Sequence, residues 1–86
     1  MVFNEYESYR VLESIRPCFY QISGMEYNDN GWEVASTDLL QHQILSYEGK
    51  TQIDGSEYYI FYSSMGRERF YYFALNESQV HRLVEG

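Results

Sequence analysis

The residues able to carry covalent or metal chemistry are few and scattered. The chain holds two histidines, His42 and His81, and one cysteine, Cys18. Zinc needs Cys, His or carboxylate ligands gathered at short, characteristic spacings, and neither histidine sits in such a set. Each reads as a surface or interfacial side chain. Cys18 lies between Pro17 and Phe19; as a nucleophile it would need a base such as His42 or His81 brought beside it, and a packing role suits its neighbours better. No phosphate-cradling glycine loop, nucleophile elbow or HExxH helix is present, and the carboxylates show no acid/base pairing. The sequence calls for no cofactor and no metal, and it reads as a non-enzyme.

The carboxylates are informative in another way. Between Arg16 and Arg67 lie seven acids, Glu26, Asp29, Glu33, Asp38, Glu48, Asp54 and Glu57, against a single base, Lys50, while both ends are nearly balanced. With a formal charge of -7 and a sequence pI near 4.6, the chain would repel phosphate, which argues against nucleic acid or an anionic membrane as direct partner. The electrostatic complement is a protein with a basic surface. A solvated face that simply keeps the protein soluble is the plainer account of the same charges.

Sixteen of the 86 residues are aromatic, ten of them tyrosine, more than one small core needs. Tyrosine tolerates exposure because it joins a large apolar body to a hydroxyl, and it is enriched at interface hot spots. The expected partner-binding set is therefore Glu26, Asp29, Glu33, Asp38, Glu48, Asp54 and Glu57 together with Tyr58, Tyr62 and Tyr72.

These residues must be positioned by a single domain of modest core. Its centre is the stretch Glu57 to Asn76, two aromatic and β-branched runs about a turn at Met65 to Glu68. Gly66 at the first central position suits a two-residue type II′ hairpin. That register sets Tyr62 opposite Tyr71, Ile60 opposite Phe73 and Tyr58 opposite Leu75. Tyr59, Phe61, Met65, Phe70, Tyr72 and Ala74 fall on the other face, so Phe61 and Phe73 are expected on opposite sides.

Asn4 with Glu7 resembles a capping box, and Tyr6, Tyr9, Leu12 and Ile15 recur at helical spacing, which predicts a helix from about Glu5 to Ile15, ended by Pro17. A strand is expected over Phe19 to Ser23, with a bulge or bend at Gly24. Asn30-Gly31 predicts a type I′ hairpin in which Asp29 faces Trp32, Tyr27 faces Val34 and Met25 faces Ser36. Thr37 to Tyr47 reads as a helical turn at Asp38 to Gln41 followed by a strand from Gln43 to Glu48. The loop Gly49 to Ser56 then returns the chain with Ile53 inward. Asn76 with Gln79 repeats the capping logic and predicts a brief C-terminal helix; the sequon Asn76-Glu77-Ser78 is read as this cap.

The expected fold is α+β, an antiparallel sheet of four to five strands with the N-terminal helix packed on one face and a short C-terminal helix. The acidic start MVFNEYE and the lack of a membrane-length apolar run place the chain, as an expectation, in the cytoplasm.

In size and charge the sequence is similar to the small acidic inhibitors that phages deploy against CRISPR or restriction nucleases, and to immunity proteins that neutralise nuclease toxins. The likeness implies an inhibitor acting as a DNA mimic, its carboxylates standing in for phosphates in a basic nucleic-acid site; it is one of size and charge, with no motif behind it. The alternative is a structural or assembly subunit that uses an exposed aromatic sheet face for homodimer or hetero-oligomer contact. A small enzyme built on Cys18 or a histidine ranks third.

Overall fold

The computed structural model describes residues 2–86. Seven strands run in the order β1 (Ser8–Val11), β2 (Phe19–Ser23), β3 (Glu33–Val34), β4 (Ile44–Ile53), β5 (Ser56–Ser64), β6 (Phe70–Leu75) and β7 (Leu83–Glu85), with one helical turn, α1 (Glu77–Val80), before the last. They form one sheet in the order β3-β2-β6-β5-β4-β1-β7, and every pairing is antiparallel. This corrects the α+β expectation: the sheet has seven strands, and no N-terminal helix packs on it.

The expected helix at Glu5 to Ile15 is instead a turn and a strand. Glu7 N–H donates to the Asn4 carbonyl at 3.1 Å, and Tyr6 takes a φ of 66°, so the chain reverses before β1 rather than winding on. Tyr9 and Val11 then alternate inward with Ser8 and Arg10, and β1 pairs with both β4 and β7. Long-range partners on both edges outweigh a local helical spacing that would have aligned the exposed Tyr6 with Tyr9.

The hairpins follow the right chemistry at other positions. β4 does not stop at Glu48 but continues through the presumed loop to Ile53, and Asp54-Gly55 makes the reversal. Both central residues have positive φ, 51° and 84°, between the closing pair Ile53 and Ser56, the signature of a type I′ turn. Ile53 is buried as expected. Asn30-Gly31 makes no such hairpin: neither residue has positive φ, Gly31 N–H donates to the Asn28 carbonyl at 2.9 Å, and β3 pairs with β2 through Phe19–Val34 and Tyr20–Glu33. The segment before it is therefore free to leave the sheet.

At the central hairpin the loop is one residue longer than a type II′ turn. Met65 N–H donates to the Arg69 carbonyl at 2.9 Å, leaving Gly66 to Glu68 between them, with Glu68 at φ 56°. The extra residue slips the register by one. Tyr62 faces Tyr72, Phe61 faces Phe73, Ile60 faces Ala74 and Tyr59 faces Leu75, so Phe61 and Phe73 share a face and the expected assignment of β6 is reversed.

Three further expectations concern the rest of the chain. The helical turn at Asp38 to Gln41 is absent. Leu39 bridges to Ile15, and a turn closed by Gln43 N–H on the Leu40 carbonyl at 3.1 Å, with His42 at φ 74°, leads into β4. The strand Phe19 to Ser23 and the Asn76 capping box are present as read; Gln79 N–H donates to Asn76 Oδ1 at 2.9 Å and Asn76 N–H to Gln79 Oε1 at 3.1 Å, but the helix it opens is one turn and does not end the chain, since Leu83–Glu85 pairs with β1 as a strand.

Both faces of the central strands carry a core, as the aromatic hairpin requires. Face A gathers Tyr9, Val11, Leu45, Tyr47, Phe61, Leu75 and Leu83, closed over by Phe3, Ile15, Leu39 and Val80. Face B holds Ile53, Ile60, Tyr72 and Ala74, with Phe19, Tyr27, Trp32, Tyr58, Tyr62 and Phe70 packed against them. Burial of the larger, face A core dominates the stabilisation, at roughly 1.5–3 kcal/mol for each large apolar side chain. No described helix is long and apolar enough to cross a membrane.

Candidate functional site

Face B is covered by one irregular segment, Gly24 to Trp32, and the covering is achieved by side chains. Gln21 points to this face from β2 and is only 3% exposed. Its amide accepts from Asn28 N–H at 2.7 Å and donates to the Asn28 carbonyl at 2.8 Å, so it serves the loop as a second strand would. The Tyr72 hydroxyl donates to the Met25 carbonyl at 3.1 Å, with the Gly24 carbonyl at 3.4 Å. Asn28 Oδ1 accepts from Asn30 N–H at 2.8 Å, tightening the turn that ends the loop. Tyr27 packs on both Trp32 and Tyr72. Sequence reasoning missed Gln21, because nothing local marks a glutamine whose partner is a backbone amide seven residues away.

The acids divide according to this architecture. Asp38 pairs with Arg16 at 2.8 Å, and Glu57 with Lys50 at 3.5 Å. Lys50 also lies over the Tyr59 ring at 5.4 Å, on the face A side. Glu26, Asp29, Glu48 and Asp54 have no cation within 4 Å among the described residues. Glu26 and Asp29 belong to the covering loop, Glu48 occupies the β-bulge between Tyr47 and Gly49, and Asp54 is at the β4–β5 tip. Glu33 is exposed on β3, opposite Tyr20, apart from the rest.

Glu48 is the most constrained of them. Burial first, and then the nearby charges of Glu5 and Glu26, raise its carboxyl above the ordinary glutamate range. Glu5 was not among the expected residues; the turn at Tyr6 brings it here, a placement no sequence spacing shows. The same field reaches Tyr72, whose phenol is pushed up to about 12 by burial and then by Glu48, Tyr62, Glu26 and Tyr27. It stays a hydrogen-bond donor across the physiological range.

The tyrosines expected at the interface are not equally available. Tyr72 is 2% exposed and belongs to the face B core, which removes it from any binding surface. Tyr58 and Tyr62 are half-buried; Tyr58 meets Phe19 edge-on at 5.5 Å, and Tyr62 packs on Phe70 and Tyr72. Of the potentially reactive residues, His42 and His81 are exposed. Cys18 lies 3.5 Å from both Gln79 Oε1 and Asn76 Nδ2, in a capping network without a base. No group of three His, Cys, Asp or Glu among the described residues could hold a metal.

Two grooves open on the described surface. One, of about 360 Å³, lies on face A over Tyr20, Ile22, Tyr71 and Phe73, with Asp38 among its lining residues. The other, of about 540 Å³, separates the covering loop from the β4–β5 tip and is lined by Phe19, Asp29, Trp32, Thr51 and Asp54 among others. Thr51 Oγ1 reaches Asp29 Oδ1 at 3.5 Å. Trp32 Nε1 is buried without an acceptor, an omission that costs about 1–3 kcal/mol.

Comparison of the chain with protein-family models, with curated proteins and with solved structures finds no match.

Proposed function

We propose that this chain is a non-enzymatic inhibitor or binding protein whose acidic surface occupies the basic, nucleic-acid-binding site of a partner protein such as a nuclease or DNA-handling complex. The supporting observation is the division of its carboxylates. Asp38 and Glu57 are paired with Arg16 and Lys50, whereas Glu26, Asp29, Glu48 and Asp54, which lie about the covering loop and the β4–β5 tip, like Glu33 have no salt-bridge partner among the described residues. Like charges held together cost folding energy, and a basic partner removes that cost while gaining steering and complementarity. Carboxylates on this surface stand where phosphates would stand.

The test uses the immobilised chain to capture partners from a host lysate at low salt, followed by elution with salt and with duplex DNA. The expected partner is released by both. It is lost when Glu26, Asp29, Glu48 and Asp54 are all changed to Lys, and retained by the Asp38→Lys, Glu57→Lys control. Capture that ignores salt, DNA and all six reversals overturns the proposal. It would favour the second reading, an assembly subunit joined through apolar surface, which draws support from the open strip Tyr20, Ile22, Tyr71 and Phe73 and from Val34, 75% exposed at the sheet edge.

A further inference from the structure

We infer that the groove between the covering loop and the β4–β5 tip is the anchor point for an arginine-bearing basic segment of the partner protein. This rests on the acidic-surface reading and narrows it to one location.

Charge complementarity carries the argument. The two walls come from different parts of the chain and each supplies a carboxylate, Asp29 from the loop and Asp54 from the hairpin tip. Among the described residues no cation fills the space: Lys50, on the neighbouring strand position, points to the other face and lies against Glu57 and the Tyr59 ring. The volume, about 540 Å³, lies within the ~300–1,000 Å³ typical of ligand clefts, ample for one long basic side chain and the backbone that bears it.

The walls between the carboxylates select the kind of cation. Phe19 and Trp32 supply aromatic surface beside the two acids. A guanidinium is planar and weakly hydrated, stacks on aromatic rings and donates to carboxylates along its edge, whereas an ammonium is compact and strongly hydrated. Arginine therefore fits this mixture better than lysine. Trp32 Nε1 is itself buried, so what the indole offers the groove is ring surface rather than its N–H.

Trp32 is the chain's single tryptophan, so its fluorescence reports on the groove wall and the loop that carries it. The probe is a hexa-arginine peptide titrated into the full chain at low salt, followed by calorimetry and by tryptophan emission, with hexa-lysine in parallel. Asp29→Asn, Asp54→Asn is compared with Glu26→Gln, Glu48→Gln, each checked for folding by circular dichroism; asparagine keeps the left-handed preference that position 54 needs. The expected result is saturable binding with a change in Trp32 emission, weaker for hexa-lysine. Affinity should fall on the order of tenfold in the Asp29, Asp54 variant and stay within about twofold in the other. Equal losses in both variants, or binding that leaves Trp32 emission unchanged, overturn the groove but leave the acidic-surface reading intact. No calorimetric binding of hexa-arginine to the wild-type chain overturns both.

Discussion

The two faces of the sheet are closed by different means, and the difference separates a cover tied by backbone from a loop held by side chains. Over face A the cover is tied by backbone: Leu39 and Ile15 exchange hydrogen bonds at 2.7 and 3.0 Å, Leu12 N–H donates to the Arg82 carbonyl at 2.8 Å, and Tyr6 N–H donates to the Tyr47 carbonyl at 2.8 Å. Over face B the loop is held largely through Gln21, Tyr72 and a cluster of rings. Backbone bridges fix a segment whatever its side chains, so face A can carry the large core. A loop held by a few side chains can present charged residues outward and adjust on contact. Glu26, Asp29, Glu48 and Asp54, and the groove between two of them, lie about that second side.

The largest expected effect falls on face A. Phe61→Ala removes a fully buried ring that meets Phe3, Tyr9 and Tyr47, and should destabilise by about 3–5 kcal/mol in chemical denaturation. A loss below ~1 kcal/mol would show that this face is not the principal core, and the comparison would fail.

Gln21→Leu should have a smaller and more local effect. It leaves Asn28 N–H without its acceptor and removes one of the two donors to the Asn28 carbonyl, which keeps Gly31 N–H, at a cost of about 1–3 kcal/mol. Amide exchange should accelerate at Asn28 and Asn30 well before it does at Phe61 and Phe73, because the loop opens without the sheet. Uniform acceleration across both faces would mean that the cover and the sheet unfold as one unit.

The smallest effect concerns charge. Because Glu48 holds its proton more tightly in the folded chain than in the unfolded one, the fold binds more protons between the ordinary glutamate pKa and the raised one. Stability therefore falls as pH rises through that window and is recovered on acidification. Glu48→Gln should raise Tm at neutral pH, and the difference should vanish below the ordinary glutamate range. An unchanged Tm at neutral pH would show that neither burial nor the charges of Glu5 and Glu26 press on this carboxylate.

What could be read from the sequence were features with a local cause. Strand β2, the bend at Gly24, the inward Ile53 and the Asn76 capping box each depend on residues a few positions apart. The need to cover both faces of the aromatic hairpin was equally legible, since β5 alternates apolar side chains on both sides. The Asn-Gly rule failed where tertiary packing chose a different turn at Asn28 to Gly31, and the same rule, applied to Asp54-Gly55, describes the hairpin that formed. Only the folded chain decided the rest. One added residue at Gly66 to Glu68 transposed every side chain of β6, burying Tyr72, and β1 became a strand because β4 and β7 lie on either side of it. Likewise, Glu5, Glu26 and Glu48, or Asp29, Trp32 and Asp54, become neighbours through strand order and loop closure. Sequence composition determined that the protein is acidic and rich in aromatic residues; the tertiary structure determined which acids are paired with cations and which acids become neighbours, because proximity across a sheet is set by long-range pairing rather than by spacing along the chain.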